Sequence, residues 1–327
     1  MNNNIIILAL LVALLSTSST TEAAETLYGL LTKDVVGQFN FTELIYTLDP
    51  SNGQQVNTLV QFPEALPQKE GGRLCTVDNK NNIMYSVYSS NGGAVSPILK
   101  SYIYAIDLTT RTIISHSQIN NAPSNDLFVE LDFNNNTGNL NCVIYNDLTG
   151  QAMTGHLTLD TLDIVIYEKV HVGKNNIHFV AAGYYAPENI YMVYYQDDSA
   201  TNKQYPIKMY DATSGKVVRT VKMDGLITTM QYMPYFEGAM VLGHSGEIRV
   251  MDVASGAVKT LDWADNNTYY YSNQAVGESS VYLSAVVAGA TPYYALITID
   301  VTTNPPTVQH NVTNANAFYD QLIVSLN

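Results

Sequence analysis

Six aspartates, Asp49, Asp107, Asp160, Asp211, Asp252 and Asp300, each end a hydrophobic zigzag and open a small-residue turn, as in PIKMYDATSG and EIRVMDVASG. Carboxylates are common general acids and bases, so a row of them invites a catalytic reading. Their recurrence at one turn position favours a structural one: an aspartate there accepts hydrogen bonds from the backbone that follows, while a nearby glycine takes positive φ. The six histidines, His116, His156, His171, His178, His244 and His310, include no HxxxH pair and no zinc spacing with cysteine. There is no GxSxG elbow, phosphate loop or dinucleotide fingerprint, although a triad assembled from distant segments leaves no such trace. DFNNNTGN, at 132–139, resembles a calcium loop only superficially; its glycine is misplaced and no acid stands at the twelfth position, so a hairpin turn is expected there. Catalytic residues stay unassigned.

The elements that carry these residues repeat. The aspartates are 41 to 58 residues apart, a period that signals an array of identical supersecondary units. Each unit divides into four short strands; around Ile227 these are TTMQYMPYF, AMVLGH, EIRVMDV and AVKTLDW, whose alternation suits strands rather than helices. The stretches before Asp49 and after Asp300 together make about one further unit. The chain is therefore expected to close on itself, the strand near AFYDQLIVSL joining TLYGLLTK, FTELIYTLD and QQVNTLVQF, because closure removes exposed strand edges.

EIRVMDVASGAVKTL and PIKMYDATSGKVVRT resemble the third and fourth strands of WD-type and related β-propeller repeats. Met251 and Tyr210 stand where the WD repeat has tryptophan, so the likeness is to propellers generally and to no specific family. The expected fold is all-β: a single six-bladed β-propeller of four-stranded blades, closed by pairing of the C-terminal strand with the N-terminal strands, with seven blades as the alternative. The resemblance implies one face of short turns and an opposite face carrying longer loops such as KDVVGQFNFTE, FPEALPQKEGG and QDDSATNKQ; long loops on a rigid scaffold tend to carry recognition. It further implies a central channel rimmed on that face by residues opening each first strand, among them Asp126, His178 and Tyr270 as ligand-binding candidates. No cofactor is expected, but propeller enzymes often hold calcium at such a rim, and Asp126, Glu130, Asn176 and Asp320 are the ligands such an ion would use.

Residues 1–23, with the apolar run IIILALLVALL before a small polar stretch, read as a signal peptide, leaving 24–327 as the propeller domain. That places the protein outside the cell or in an endosomal or lysosomal lumen, without membrane insertion after cleavage. There Cys75 and Cys142 are free to form a disulfide, and Asn40, Asn135, Asn266 and Asn311 head glycosylation sequons. A net charge of −14, with 15 Lys and Arg against 29 Asp and Glu, excludes nucleic acid as a partner. Tyrosines such as Tyr184, Tyr191 and Tyr195 serve either blade packing or an aromatic recognition surface. The leading expectation is a secreted, non-catalytic recognition module binding a protein or glycan through the long-loop face. The alternatives are an extracellular or lumenal hydrolase at the channel and a structural matrix component.

Overall fold

The computed structural model describes residues 25–326 other than 35–39, 64–65, 68–73, 92–98, 123–125, 147, 174–179, 196–203, 225–226, 228, 237–238, 245–246, 262–268, 288–292, 305 and 314–320. The leader and the sequon residue Asn266 lie outside them. One sheet brings the chain ends together in the order β25 (Gln321–Leu326), β1 (Glu25–Asp34), β2 (Asn40–Leu48), β3 (Gln55–Gln61), with β4 (Leu66–Pro67) also paired to β2. Five antiparallel four-stranded blades complete the ring. They are β5 (Leu74–Asp78), β6 (Ile83–Asn91), β7 (Leu99–Asp107), β8 (Thr112–Gln118); β9 (Asp126–Phe133), β10 (Leu140–Asn146), β11 (Gln151–Leu157), β12 (Ile164–His171); β13 (Val180–Tyr185), β14 (Ile190–Tyr195), β15 (Gln204–Asp211), β16 (Val217–Asp224); β17 (Thr229–Tyr232), β18 (Ala239–His244), β19 (Glu247–Asp252), β20 (Val258–Leu261); and β21 (Tyr269–Val276), β22 (Ser280–Val287), β23 (Tyr293–Asp300), β24 (Thr307–Thr313).

The expectation of six four-stranded blades is thereby corrected. The structure has five, arranged with a five-stranded sheet at the chain ends. On β2, strand β3 reaches only as far as Leu44. The backbone edge left at Asn40 and Phe41 is taken by Pro67 and Leu66 of β4, since unpaired backbone groups seek partners. The seven-bladed alternative fails because the last strand is used in closure: Gln321 to Leu326 pair antiparallel with Leu30 to Glu25.

The strands β5, β9, β13, β17, β21 and β25 occupy the centre, each against the next around the ring. Apolar clusters fill the spaces between neighbouring sheets. Val143 and Tyr145 of β10 meet Tyr191, Val193 and Tyr195 of β14, and Leu27 and Tyr46 meet Ala275 and Tyr282 at the closing sheet. Strand β14, IYMVYY, is buried at every residue because it has sheet neighbours on both edges and blades on both faces, whereas the outer strand β8 is exposed throughout. Tyr184, Tyr185, Tyr191, Tyr194 and Tyr195 are all buried, so among the described residues these rings pack blades and form no recognition surface.

The turns at Asp49, Asp211 and Asp252 share one closure. The amide of Asp211 donates to Lys216 O and that of Gly215 to Asp211 O, while the amides of Thr213 and Ser214 donate to the Asp211 carboxylate. Asp252 closes its turn through Ala257, Gly256 and Ser255 in the same way. Asp160 does not belong to the set. In its blade the closing residue is Thr158, bonded to Asp163 and Leu162, with Leu162 at φ 57° in the glycine position. Gly215 sits at φ 68°, and a Cβ there would stand 2.3 Å from the Tyr167 ring of the preceding blade. Gly215→Ala is expected to lower stability by about 1–3 kcal/mol through left-handed strain and that clash, read as a reduced urea midpoint. An unchanged midpoint would mean that the turn shifts freely.

Cys75 and Cys142 are free and buried, so the disulfide open to them is not formed. Cys75 packs between the closing sheet and the β5–β8 blade, and Cys142 between that blade and the β9–β12 blade; the β5–β8 sheet separates them. Burial pushes the Cys142 thiol up to about 12, so it behaves as a small apolar group.

Candidate binding site in the central channel

Each central strand is hydrogen-bonded to its blade along one edge only, so its other edge presents backbone groups to the ring's interior. Side chains of the neighbouring central strand satisfy several of them. Gln321 of β25 accepts from Cys75 N at 2.8 Å and donates to Cys75 O at 3.0 Å. Thr76 Oγ1 of β5 accepts from Phe133 N at 2.9 Å, and Glu130 of β9 accepts from the Ala182 amide of β13. Polar side chains thus join neighbouring central strands around the channel.

These strands enclose a cavity of about 540 Å³ lined by residues from all of them, among them Thr76, Glu130, Asp132, Gln231, Gln274 and Gln321. Its size falls within the roughly 300–1,000 Å³ of ligand pockets. Burial pushes the Asp132 carboxyl up to about 7. Glu130 is raised well above the carboxylate range by burial and then by the charge of Asp132, against the hydrogen bond from Ala182. Gln274 is 1% exposed, and neither its amide oxygen nor its nitrogen has a hydrogen-bond partner; leaving a buried polar group unsatisfied costs about 1–3 kcal/mol.

No protein-family model matches the chain, and no curated protein matches it in sequence. In structure the chain is similar to TolB from Acinetobacter baumannii, with 12% identity and a TM-score of 0.55 over 93% of this chain and 67% of that one. It is similar also to a protein of unknown function from Bacteroides caccae, with 10% identity and a TM-score of 0.57 over 93% of this chain and all of that one. The WD40 domain of Neurospora crassa Pan2 aligns at 11% identity and a TM-score of 0.46, over 88% and 77% of the two chains. At such identities the likeness concerns the fold. The chain is a β-propeller.

The propeller places the expected rim residues apart. Asp126 does open β9, but it is 2% exposed, and its carboxylate accepts from the Asn146 amide at the end of β10. Burial raises its pKa, with Asn146 and Lys169 opposing. Glu130 instead reaches the next blade, so these two members of the calcium set do not converge. Asn176, Asp320 and His178 lie outside the described residues, as does the Tyr270 side chain, whose backbone pairs with Val286. Among the described residues no three His, Cys, Asp or Glu side chains group as a metal site. His116 stacks on Tyr104 with ring centres 4.0 Å apart, and His156 Nδ1 is 2.7 Å from Tyr167 Oη; both are tied into blade packing. Asn135 is exposed in the β9–β10 turn, which is the hairpin expected for DFNNNTGN, while Asn40 and Asn311 fall in β2 and β24.

Sequence reasoning missed Asp132, Gln274 and Gln321. The signal available was a polar residue inside an otherwise apolar first strand, as in VELDF, SNQAV and DQLIV.

Proposed function

We propose that the protein is a non-catalytic recognition module whose long-loop face docks a partner protein. The observation that carries this reading is the asymmetry of the two ends of the ring. Antiparallel order puts the first-to-second and third-to-fourth turns of every sheet on one face, where 49–54, 158–163, 211–216 and 252–257 are tight and closed by their own hydrogen bonds. The strand ends joined by the remaining connections, including Asp34 and Asn40, Asn91 and Leu99, and Tyr195 and Gln204, lie on the other face, and the sequences between them are longer and varied. Their variety in length and sequence is what selection for a partner produces on a rigid scaffold. The acidic balance of the chain favours a partner with a basic surface. Secretion fits the apolar leader, which supports capture from extracellular medium as the test.

The test compares the mature chain with variants in which 35–39 and 196–203 are replaced by Gly-Ser segments, and with a control altered at the tight turn 252–257. The expected result is a partner retained by wild type and control and lost with the loop variants. Capture that is equal for all three would defeat the reading. A hydrolase at the channel is the competing reading, and one observation favours it: Asp132, pushed up to about 7, has the acidity of a general acid at neutral pH.

A further inference from the structure

Among the described residues the channel lining holds two carboxyl groups and no cationic side chain. Glu130 and Asp132 line it from β9, and among the described lining residues there is no lysine or arginine. Ring order runs β5, β9, β13, β17, β21, β25, so β21, which carries Gln274, stands opposite β9. Gln321, Thr76 and Glu130 use their polar atoms on the edge of the next central strand. Gln274 does not: the residue is 1% exposed and lines the same cavity, and its buried amide is unpartnered at both atoms. Thr229 Oγ1, also on the lining, is unpartnered too. A strand with two carboxyl groups and a strand with a buried, unpartnered amide thus stand on opposite sides of a space of about 540 Å³, where a water molecule's share of liquid is about 30 Å³.

We propose that the channel binds a small organic cation, a primary ammonium compound whose charged end is taken by Glu130 and Asp132 and whose polar far end is hydrogen-bonded by Gln274. Charge selects against anions. A bare hard cation is a poor fit, because calcium needs six to eight oxygens and the described lining brings together two carboxyl groups from one strand. An ammonium has three donors, which those carboxyl groups accept, and its organic body occupies volume that an ion leaves to water. Burial, and at Glu130 also the charge of Asp132, holds the protons of the empty pair more tightly than usual. Binding a cation therefore releases protons. The site lies inside the ring and is independent of the loops that dock a partner.

The test is calorimetric titration of the full mature chain at pH 7 with glycinamide, 4-aminobutyramide and 5-aminovaleramide. Each is paired with its hydroxy analogue, and calcium chloride serves as a separate arm. At least one aminoamide is expected to saturate a single site at least tenfold more tightly than its hydroxy analogue, with proton release seen as a heat that differs between phosphate and Tris buffers. Glu130→Gln and Asp132→Asn are expected to weaken it tenfold or more. Gln274→Leu should weaken it while preserving the preference for ammonium over hydroxyl. Absence of binding by all three aminoamides, equal binding of the hydroxy compounds, or preferential binding of calcium overturns the proposal. The wild-type comparison decides by itself if a variant does not fold. The loop-replaced chain should bind the aminoamide normally, which separates this outcome from that of partner docking.

Discussion

A chain ending at residue 320 is expected to lose its cooperative unfolding transition. The missing strand, β25, lies at the centre of the ring between β5 and β21 and supplies the innermost strand of the closing sheet. Leu322 and Ile323 are 1% and 7% exposed, and burying such side chains contributes roughly 1.5–3 kcal/mol each. Gln321 satisfies both backbone groups of Cys75, and Leu326 N donates to Asn79 at 3.0 Å. Removing the strand also frees the edge of β1 from Glu25 to Leu30. The combined loss is comparable with the whole stability of an ordinary domain, about 5–15 kcal/mol. Circular dichroism melting is the measurement, with Leu322→Ala as a milder arm expected to cost about 2–5 kcal/mol. Adding a peptide spanning 314–327 should restore the transition. A truncated chain that melts within a few degrees of the full one would show that closure is dispensable.

Asp132→Asn should stabilise the propeller at pH 8 by about 2–4 kcal/mol and leave it unchanged at pH 4. In the folded chain burial pushes the Asp132 carboxyl up to about 7, whereas unfolded it titrates near 3.9. The native state therefore holds its proton more tightly, and stability falls as pH rises between those values. Asparagine keeps the shape and never charges. It also removes the repulsion that raises Glu130. The turn aspartates act in the opposite sense: hydrogen bonds from Ser51, Ser214, Ser255 and Thr302 hold Asp49, Asp211, Asp252 and Asp300 below the usual carboxylate range. What they contribute is present above the unfolded value and lost as pH falls through their folded ones. Urea unfolding at pH 4, 6 and 8 distinguishes the two groups. Parallel profiles for wild type and Asp132→Asn would mean that water reaches the carboxyl freely.

The turn aspartates were legible because their chemistry is local: an Asx acceptor needs only the next few residues. Asp160 misled for the same reason, since a threonine two residues earlier closes the turn equally well and Leu162 takes the left-handed position without glycine to announce it. Strand β4 gave no signal; two residues have no period, and one is proline. The channel was hardest to see. Strict alternation from Phe128 puts Glu130 on the same face, against the apolar cluster with Leu140 and Ile144. A bulge at Val129 breaks that alternation, so that Phe128 pairs with Ile144 while Glu130 pairs with Val143. That one extra residue turns the acids toward the β13–β16 blade, where Glu130 accepts from Ala182 and the charges of both bear on Tyr191, and nothing in VELDF reveals it.

The pairing of Glu25 with Leu326 also fixes how the molecule is presented. In the closing sheet these residues stand where the other blades have their first-to-second turn, on the face of tight turns. The backbone enters β1 and leaves β25 on that side. A propeller held to a surface through either end would stand with the opposite ends of its strands pointing away, so the two ends of the chain act as a handle on one face only.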